Sequence, residues 1–155
     1  MAETIAPSRM EEVYRREGPR LWKALVLHTR DPEMASDAAA EAFAQAIARG
    51  DGIRDPDRWV WTVAFRVANG HLKERGRNAG PPIDRAVQGD TELLELTEAL
   101  ARLSPRQRAS VILHYLGGYR LREIAGMLGS STAAVGVHLH RARARLRGLL
   151  EDDHA

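Results

Sequence analysis

The chemistry open to this sequence is mostly cationic. Arg141, Arg143, Arg145 and Arg147 recur at every second position of "HRARARLR". A guanidinium binds phosphate through charge and paired hydrogen bonds. On a helix, a spacing of two spreads the four around the axis, so they cannot all enter one groove. Arg141 and Arg145, four apart, share a face and make the better pair for a nucleic-acid backbone. Charge is distributed accordingly. The 155 residues carry a net +2, but residues 105–150 hold eight Lys/Arg against one Asp/Glu. This is the footprint of a phosphate-backbone binder.

Covalent and metal chemistry have no comparable foothold. The chain has no cysteine, which excludes disulfides, thiolate metal ligands and a thiol nucleophile. His138 and His140 are two apart and point in different directions on a helix, so they do not form a metal pair. His28, His71, His114 and His154 show no ligand spacing. Neither a phosphate-binding loop nor a GxSxG elbow is present. The acidic residues of "TELLELTEAL" read as a solvated helix face. The expectation is a non-enzymatic binder that needs no cofactor and no metal.

The elements that must carry these residues read as helices throughout. Alanine and arginine abound, while aromatics make up 5%. Met10, Val13, Tyr14, Leu21, Trp22, Leu25 and Val26 recur at helical spacing, with Gly18-Pro19 as a possible bend. Asp31-Pro32 and Asp55-Pro56 each read as an N-cap followed by a first-turn proline. The helix after Asp31 is predicted to bury Ala39, Phe43 and Ile47 and to expose Asp37, Glu41 and Gln45. The helix after Asp55 is predicted to bury Trp59, Val63, Val67 and Leu72. Trp61 is left as a candidate exposed ring, and Asn69-Gly70 as a weak point. Ser104, Pro105 and Gln107 spell a capping box. "NAGPPIDRAVQGD" lacks apolar periodicity and reads as a flexible linker. The fold class is therefore all-α, with two small helical domains. The N-terminal "MAETIAPSRMEE" lacks a signal-peptide core, and no apolar run approaches the roughly 18 residues of a membrane span. A cytoplasmic location is expected.

One segment meets the steric demands of a helix-turn-helix. Counting from Leu121, Ala125 is fifth, Gly129 ninth and Val135 fifteenth. These are the small, turn and apolar positions that two crossing helices require. Ile124 and Leu128 supply core contacts, and Ser131 can cap the second helix. A plain helical hairpin would look similar, but this one coincides with the basic segment.

"LSPRQR", "EIAGMLG" and "HRARARLR" together resemble region 4 of bacterial sigma-70 family factors, in particular the extracytoplasmic-function (ECF) group. "EEVYRREGPRLWKAL", "DPEMASDAAAEAFAQAI" and "DPDRWVWTVAFRVANGHLKERGR" look like successive parts of sigma region 2. The resemblance implies a region 2-like domain at 8–77, a linker at 78–91 and a region 4-like domain at 92–150. It implies a factor that binds core RNA polymerase and directs it to promoter DNA, duplex at −35 and melted at −10. An anti-sigma protein is a further partner of such factors. Asp37, Glu41 and Gln45 would then face the polymerase. Arg58, Trp61, Arg66, Asn69, Gly70, His71 and Lys73 would serve the −10 element, since captured bases need aromatic faces and cations. Ser131, Thr132, Ala133, Gly136, His138, His140, Arg141 and Arg145 would serve the −35 element.

Two departures stand out from the family pattern. Arg66 occupies a position where asparagine is common. Gly136-Val137 replaces a polar or basic pair in the reading helix, so phosphate contacts and DNA shape would carry more of the upstream recognition. Two other readings stay open: a helix-turn-helix regulator unrelated to polymerase, and a sigma-like decoy that binds polymerase or an anti-sigma protein but initiates poorly.

Overall fold

A computed structural model describes residues 8–76 and 91–153. The predicted linker falls outside the described residues, except for Thr91, which opens a helix. Among the described residues there are seven α-helices and no strand. They are α1 (Arg9–Thr29), α2 (Pro32–Arg49), α3 (Pro56–Arg75), α4 (Thr91–Ala101), α5 (Pro105–Val111), α6 (Leu121–Leu128) and α7 (Thr132–Asp153).

Local chemistry sets the helix starts. Ser8 Oγ accepts from the Glu11 amide. Asp31 Oδ1 accepts from the amides of Glu33 (3.0 Å) and Met34 (3.2 Å), and its other oxygen is held by Arg75. Asp55 caps α3 through the Arg58 amide. Ser104 and Gln107 exchange both bonds of the predicted capping box. Each cap satisfies amides that the first helical turn leaves without intrahelical partners. Gly18-Pro19 does not break α1, which runs unbroken through Pro19.

α1, α2 and α3 pack against one another, and α5, α6 and α7 form a second group. The groups do not stand apart. α1 also packs on α4, on α5 and on the turn that follows α5, while α3 touches α6. A single buried cluster runs from Val13 and Leu25 through Trp61 and Phe65 to Leu113, Ile124 and Val135.

Two face assignments need correction. α3 buries Val60, Trp61, Ala64, Phe65 and Ala68, whereas Trp59, Val63 and Val67 are only partly covered. Trp61 is fully buried, its indole donating to Glu17 Oε2 (3.1 Å) and lying parallel to Phe65. α3 carries apolar residues on two faces, so periodicity alone could not choose between them. Ala64 and Ala68 let neighbouring helices approach closely on the face that won. On α2, the alanines Ala35, Ala38, Ala42 and Ala46 form the buried stripe together with Phe43. Ile47 is left 67% exposed, because small residues rather than the largest one fit the close helix approach. α3 also continues past Asn69-Gly70 to Arg75.

Candidate nucleic-acid interface

The helix-turn-helix forms as its spacing requires. Ala125 is buried where α6 and α7 cross, and Val135 on α7 is fully buried. Gly129 ends α6 in the left-handed region (φ 63°), which glycine adopts without a Cβ clash. Ser131 Oγ accepts from the Ala134 amide at 3.1 Å and caps α7. Val135, Leu139 and Ala142 turn inward. Ser131, Thr132, Ala133, Val137, His140, Arg141 and Arg145 are exposed, while Gly136 and His138 are half-buried. The N-terminal residues of the second helix, those that enter a major groove in this motif, are thus free of protein cover. α6 starts between two further exposed cations, Arg120 and Arg122. The sequence reading missed these two as individual contacts, although they belong to the basic segment it recognised.

α3 is arranged differently. Arg58, Thr62, Arg66, Asn69 and Lys73 follow at intervals of 4, 4, 3 and 4 residues and make one polar stripe. Trp61 lies on the opposite, buried side. Trp59, partly covered, is the indole that α3 leaves with exposed surface. The signal that would have singled it out is the alanine pair Ala64 and Ala68, which marks the packing face. Gly70 is exposed and His71 half-buried.

The C-terminal half engages one end of this stripe, while Arg66 and Lys73 stay exposed. Arg58 Nη1 donates to Glu123 Oε2 on α6 at 2.8 Å. Asn69 and Lys73 line a recess with Pro105, Arg106, Ala109 and Leu128. Around the stripe, Arg20 Nη2 donates to the Leu116 carbonyl (2.7 Å), and Tyr119 meets the edge of Trp61. Arg30, which caps the end of α1, pairs with Glu98 on α4. Glu123 is held below the ordinary carboxylate range, first by the Arg120 backbone amide and then by Arg58.

His28 sits at the centre of this junction, fully buried. Its Nε2 meets Asn69 Oδ1 at 2.6 Å, and Arg108 Nε on α5 approaches its Nδ1 at 3.4 Å. The ring therefore donates from Nε2 and accepts at Nδ1, the neutral tautomer. Burial lowers its pKa to about 4, with the charge of Arg108 acting the same way and Asn69 opposing. Burial also lowers the pKa of the Arg108 guanidinium.

On α2, Asp37, Glu41 and Gln45 are all exposed in one row, with Gln45 Nε2 donating to Glu41 Oε1 at 2.8 Å. Beside it runs an apolar groove of about 930 Å³ between α1 and α2, lined by Tyr14, Trp22, Phe43 and Ile47 among others. Sequence periodicity had placed Ile47 in the core beside Phe43, so the groove was not foreseen. Among the described residues, no group of three His, Asp or Glu side chains is placed to hold a metal ion.

Fold and exposed cationic helix together define an all-helical protein with a helix-turn-helix, and comparison with known proteins narrows this further. Residues 93–146 match the family model "Sigma-70, region 4". The chain is 32% identical to the ECF RNA polymerase sigma factor SigM of Mycobacterium tuberculosis, over 97% of its own length and 82% of that protein's. It is 30% identical to the RNA polymerase sigma-E factor of Streptomyces coelicolor, covering 76% and 72% of the two chains. Its fold is similar to that of CnrH in complex with the cytosolic domain of CnrY (TM-score 0.72, 25% identity, 93% and 88% covered). It is also similar to that of the sigma factor RpoE in complex with the anti-sigma factor NepR from Bartonella quintana (TM-score 0.78, 22% identity, 91% and 96% covered). The chain belongs to the ECF RNA polymerase sigma factors.

Proposed function

We propose that this ECF sigma factor engages core RNA polymerase through α2 and promoter DNA through α3 and α7, with residues 8–77 acting as region 2 and residues 92–150 as region 4. The observation that carries the proposal is the helix-turn-helix inside the region 4 match, whose second helix presents its N-terminal face uncovered. Ser131, Thr132, Ala133, Gly136, His138, His140, Arg141 and Arg145 are the proposed −35 contacts. With Gly136 and Val137 offering no polar side chain, base readout rests on Ser131, Thr132, His138, His140 and Arg141, and phosphate contacts fix the register. Asp37, Glu41 and Gln45 are the proposed polymerase contacts, and the adjoining groove supplies the apolar part of that surface.

For the −10 element the proposed residues are Arg58, Arg66, Asn69, Gly70, His71 and Lys73, with Trp59 in place of the buried Trp61. Glu123 on α6 holds Arg58 at one end of this stripe, so that pair must open before a melted strand can use Arg58. An anti-sigma protein is a proposed partner, and the cytoplasm, where polymerase works, the proposed location.

The test is transcription in vitro with core polymerase and fragmented genomic template. Discrete transcripts that depend on this chain are expected. If the chain binds core polymerase but yields no specific transcript, it is a decoy rather than an initiator, an outcome that the paired Arg58 makes worth testing. Catalysis by the chain itself is not expected.

A further inference from the structure

We infer that Tyr115 is a positioning residue that aims Arg143 at the phosphate backbone alongside the −35 reading helix, an assignment that rests on the proposed DNA-binding role of α7. Four observations converge on it. First, Arg143 Nε donates to the Tyr115 hydroxyl at 2.7 Å, and the guanidinium carbon lies 5.5 Å from the ring centroid. The ring and hydroxyl hold one edge of the guanidinium. The four N–H groups on Nη1 and Nη2 stay free, the fork that pairs with two phosphate oxygens.

Second, the pair sits in the open: Tyr115 is 61% exposed, and Arg143 is exposed as well. A strut evolved only to tie α5 to α7 would gain more by being buried, since exposed polar contacts contribute little to stability. Third, the backbone goes out of its way to place Tyr115 there. After α5 the chain widens into a π-helical turn, Ile112–Leu116, closed by the Gly117 amide on the Ile112 carbonyl. Such turns are rare and concentrate at functional sites. Gly117 is required for it, because a Cβ there would come within 2.7 Å of both the Leu113 carbonyl and the Tyr119 ring.

Fourth, Arg143 lies on the right face of α7. Thr132, Gly136, His140, Arg143 and Arg147 follow at intervals of 4, 4, 3 and 4 residues and so line one side of the helix. Three of them are already proposed −35 contacts. Arg141 and Arg145 share the opposite flank with His138. The alternating arginines therefore serve two flanks, and Arg143 is the one whose direction the protein itself fixes.

The experiment measures binding of the full chain to a random-sequence 30-base-pair duplex as a function of salt. The variants are Arg143→Ala, Arg143→Lys, Tyr115→Phe and the Tyr115→Phe/Arg143→Ala double variant, with thermal melting run in parallel. Each phosphate engaged contributes about 0.9 to the slope of log affinity against log salt. Arg143→Ala should lower the slope by about that amount, and Arg143→Lys should restore it. Tyr115→Phe removes only the acceptor and should weaken binding about two- to tenfold, the ratio that one hydrogen bond supports. It should have no further effect once Arg143 is alanine. An unchanged slope in Arg143→Ala, or independent and additive losses from Tyr115 and Arg143, overturns the assignment while wild-type binding stays intact. A wild-type slope near zero overturns the DNA-binding role of α7 and this inference with it.

Discussion

The two halves present their candidate DNA surfaces in opposite states. On α7 the reading face is open, with Ser131, Thr132, Ala133, His140 and Arg141 all exposed. On α3 the polar stripe is partly occupied, Arg58 by Glu123 and Asn69 by His28, while Arg66 and Lys73 are exposed. Both surfaces draw on arginine and histidine at helical spacing. What differs is the neighbour. The ion pair at the end of the stripe is partly solvated, Arg58 and Glu123 being 42% and 29% exposed, although the junction beneath it is apolar. Such pairs are individually weak. The difference fits the proposed roles, an upstream surface that is open and a downstream one whose Arg58 is paired within the chain.

The largest expected effect separates the two tryptophans of α3. Trp61→Ala should destabilise the fold by about 3–5 kcal/mol, the range for emptying a fully buried aromatic site. Trp59→Ala should cost about 1–2 kcal/mol, because less area is withdrawn from water, yet it should impair promoter melting. Urea unfolding measures the first effect and permanganate footprinting of the open complex the second. Normal melting by Trp59→Ala would remove Trp59 from the interface.

Acid should act next most strongly, and at the junction of the halves. The folded pKa of His28 is lowered from 6.5 to about 4, so the unfolded chain takes up a proton first as pH falls. His28 therefore contributes full stability above pH 6.5, and that contribution is lost progressively down to about pH 4. A shift of this size corresponds to about 3 kcal/mol. The groups facing the ring from the packed elements are Asn69, Phe65 and Arg108. None of these is an acid that would stabilise the imidazolium. Urea midpoints at pH 7.5 and pH 5 should differ in the wild type, and His28→Gln should flatten the difference.

A smaller effect is expected from Glu123→Arg, which turns the Arg58 pair into a repulsion. A change of about 1 kcal/mol shifts the closed population several-fold. The chain has no native cysteine, so dyes placed at engineered cysteines on α2 and α7 report the separation directly. Unchanged energy transfer in this variant would mean that the apolar junction, not the ion pair, holds the halves together.

The smallest change concerns the open face alone. A Cβ at position 136 would meet only Leu121 Cδ2, at 3.7 Å, which is ordinary contact. Replacing a mid-helix glycine also favours the helix by about 1 kcal/mol. Gly136→Lys should therefore strengthen binding to a −35 duplex, measured by anisotropy. Weaker binding would show that the DNA backbone comes close to Gly136.

What the sequence determined by itself was local and periodic. The caps at Asp31, Asp55 and Ser104, the left-handed Gly129 and the spacing of Ala125 and Val135 involve residues only a few positions apart. Short-range sterics and hydrogen bonds specify them without help from the rest of the chain. The concentration of positive charge after residue 105 was equally legible. Tertiary structure decided what depended on competition between faces. α3 has apolar residues on two sides, and only its packing against α1 and α2 chose Trp61 for the core and left Trp59 at the surface. On α2 the close approach of helices selected alanines over Ile47, which opened a groove that periodicity had filled. Above all, residue types could nominate Arg58 and Asn69 as nucleic-acid contacts, but not tell that Glu123 and His28 of the same chain would hold them. A cation's affinity for an anionic or polar partner is the same whether that partner is DNA or Glu123, and only the fold determines which one is within reach.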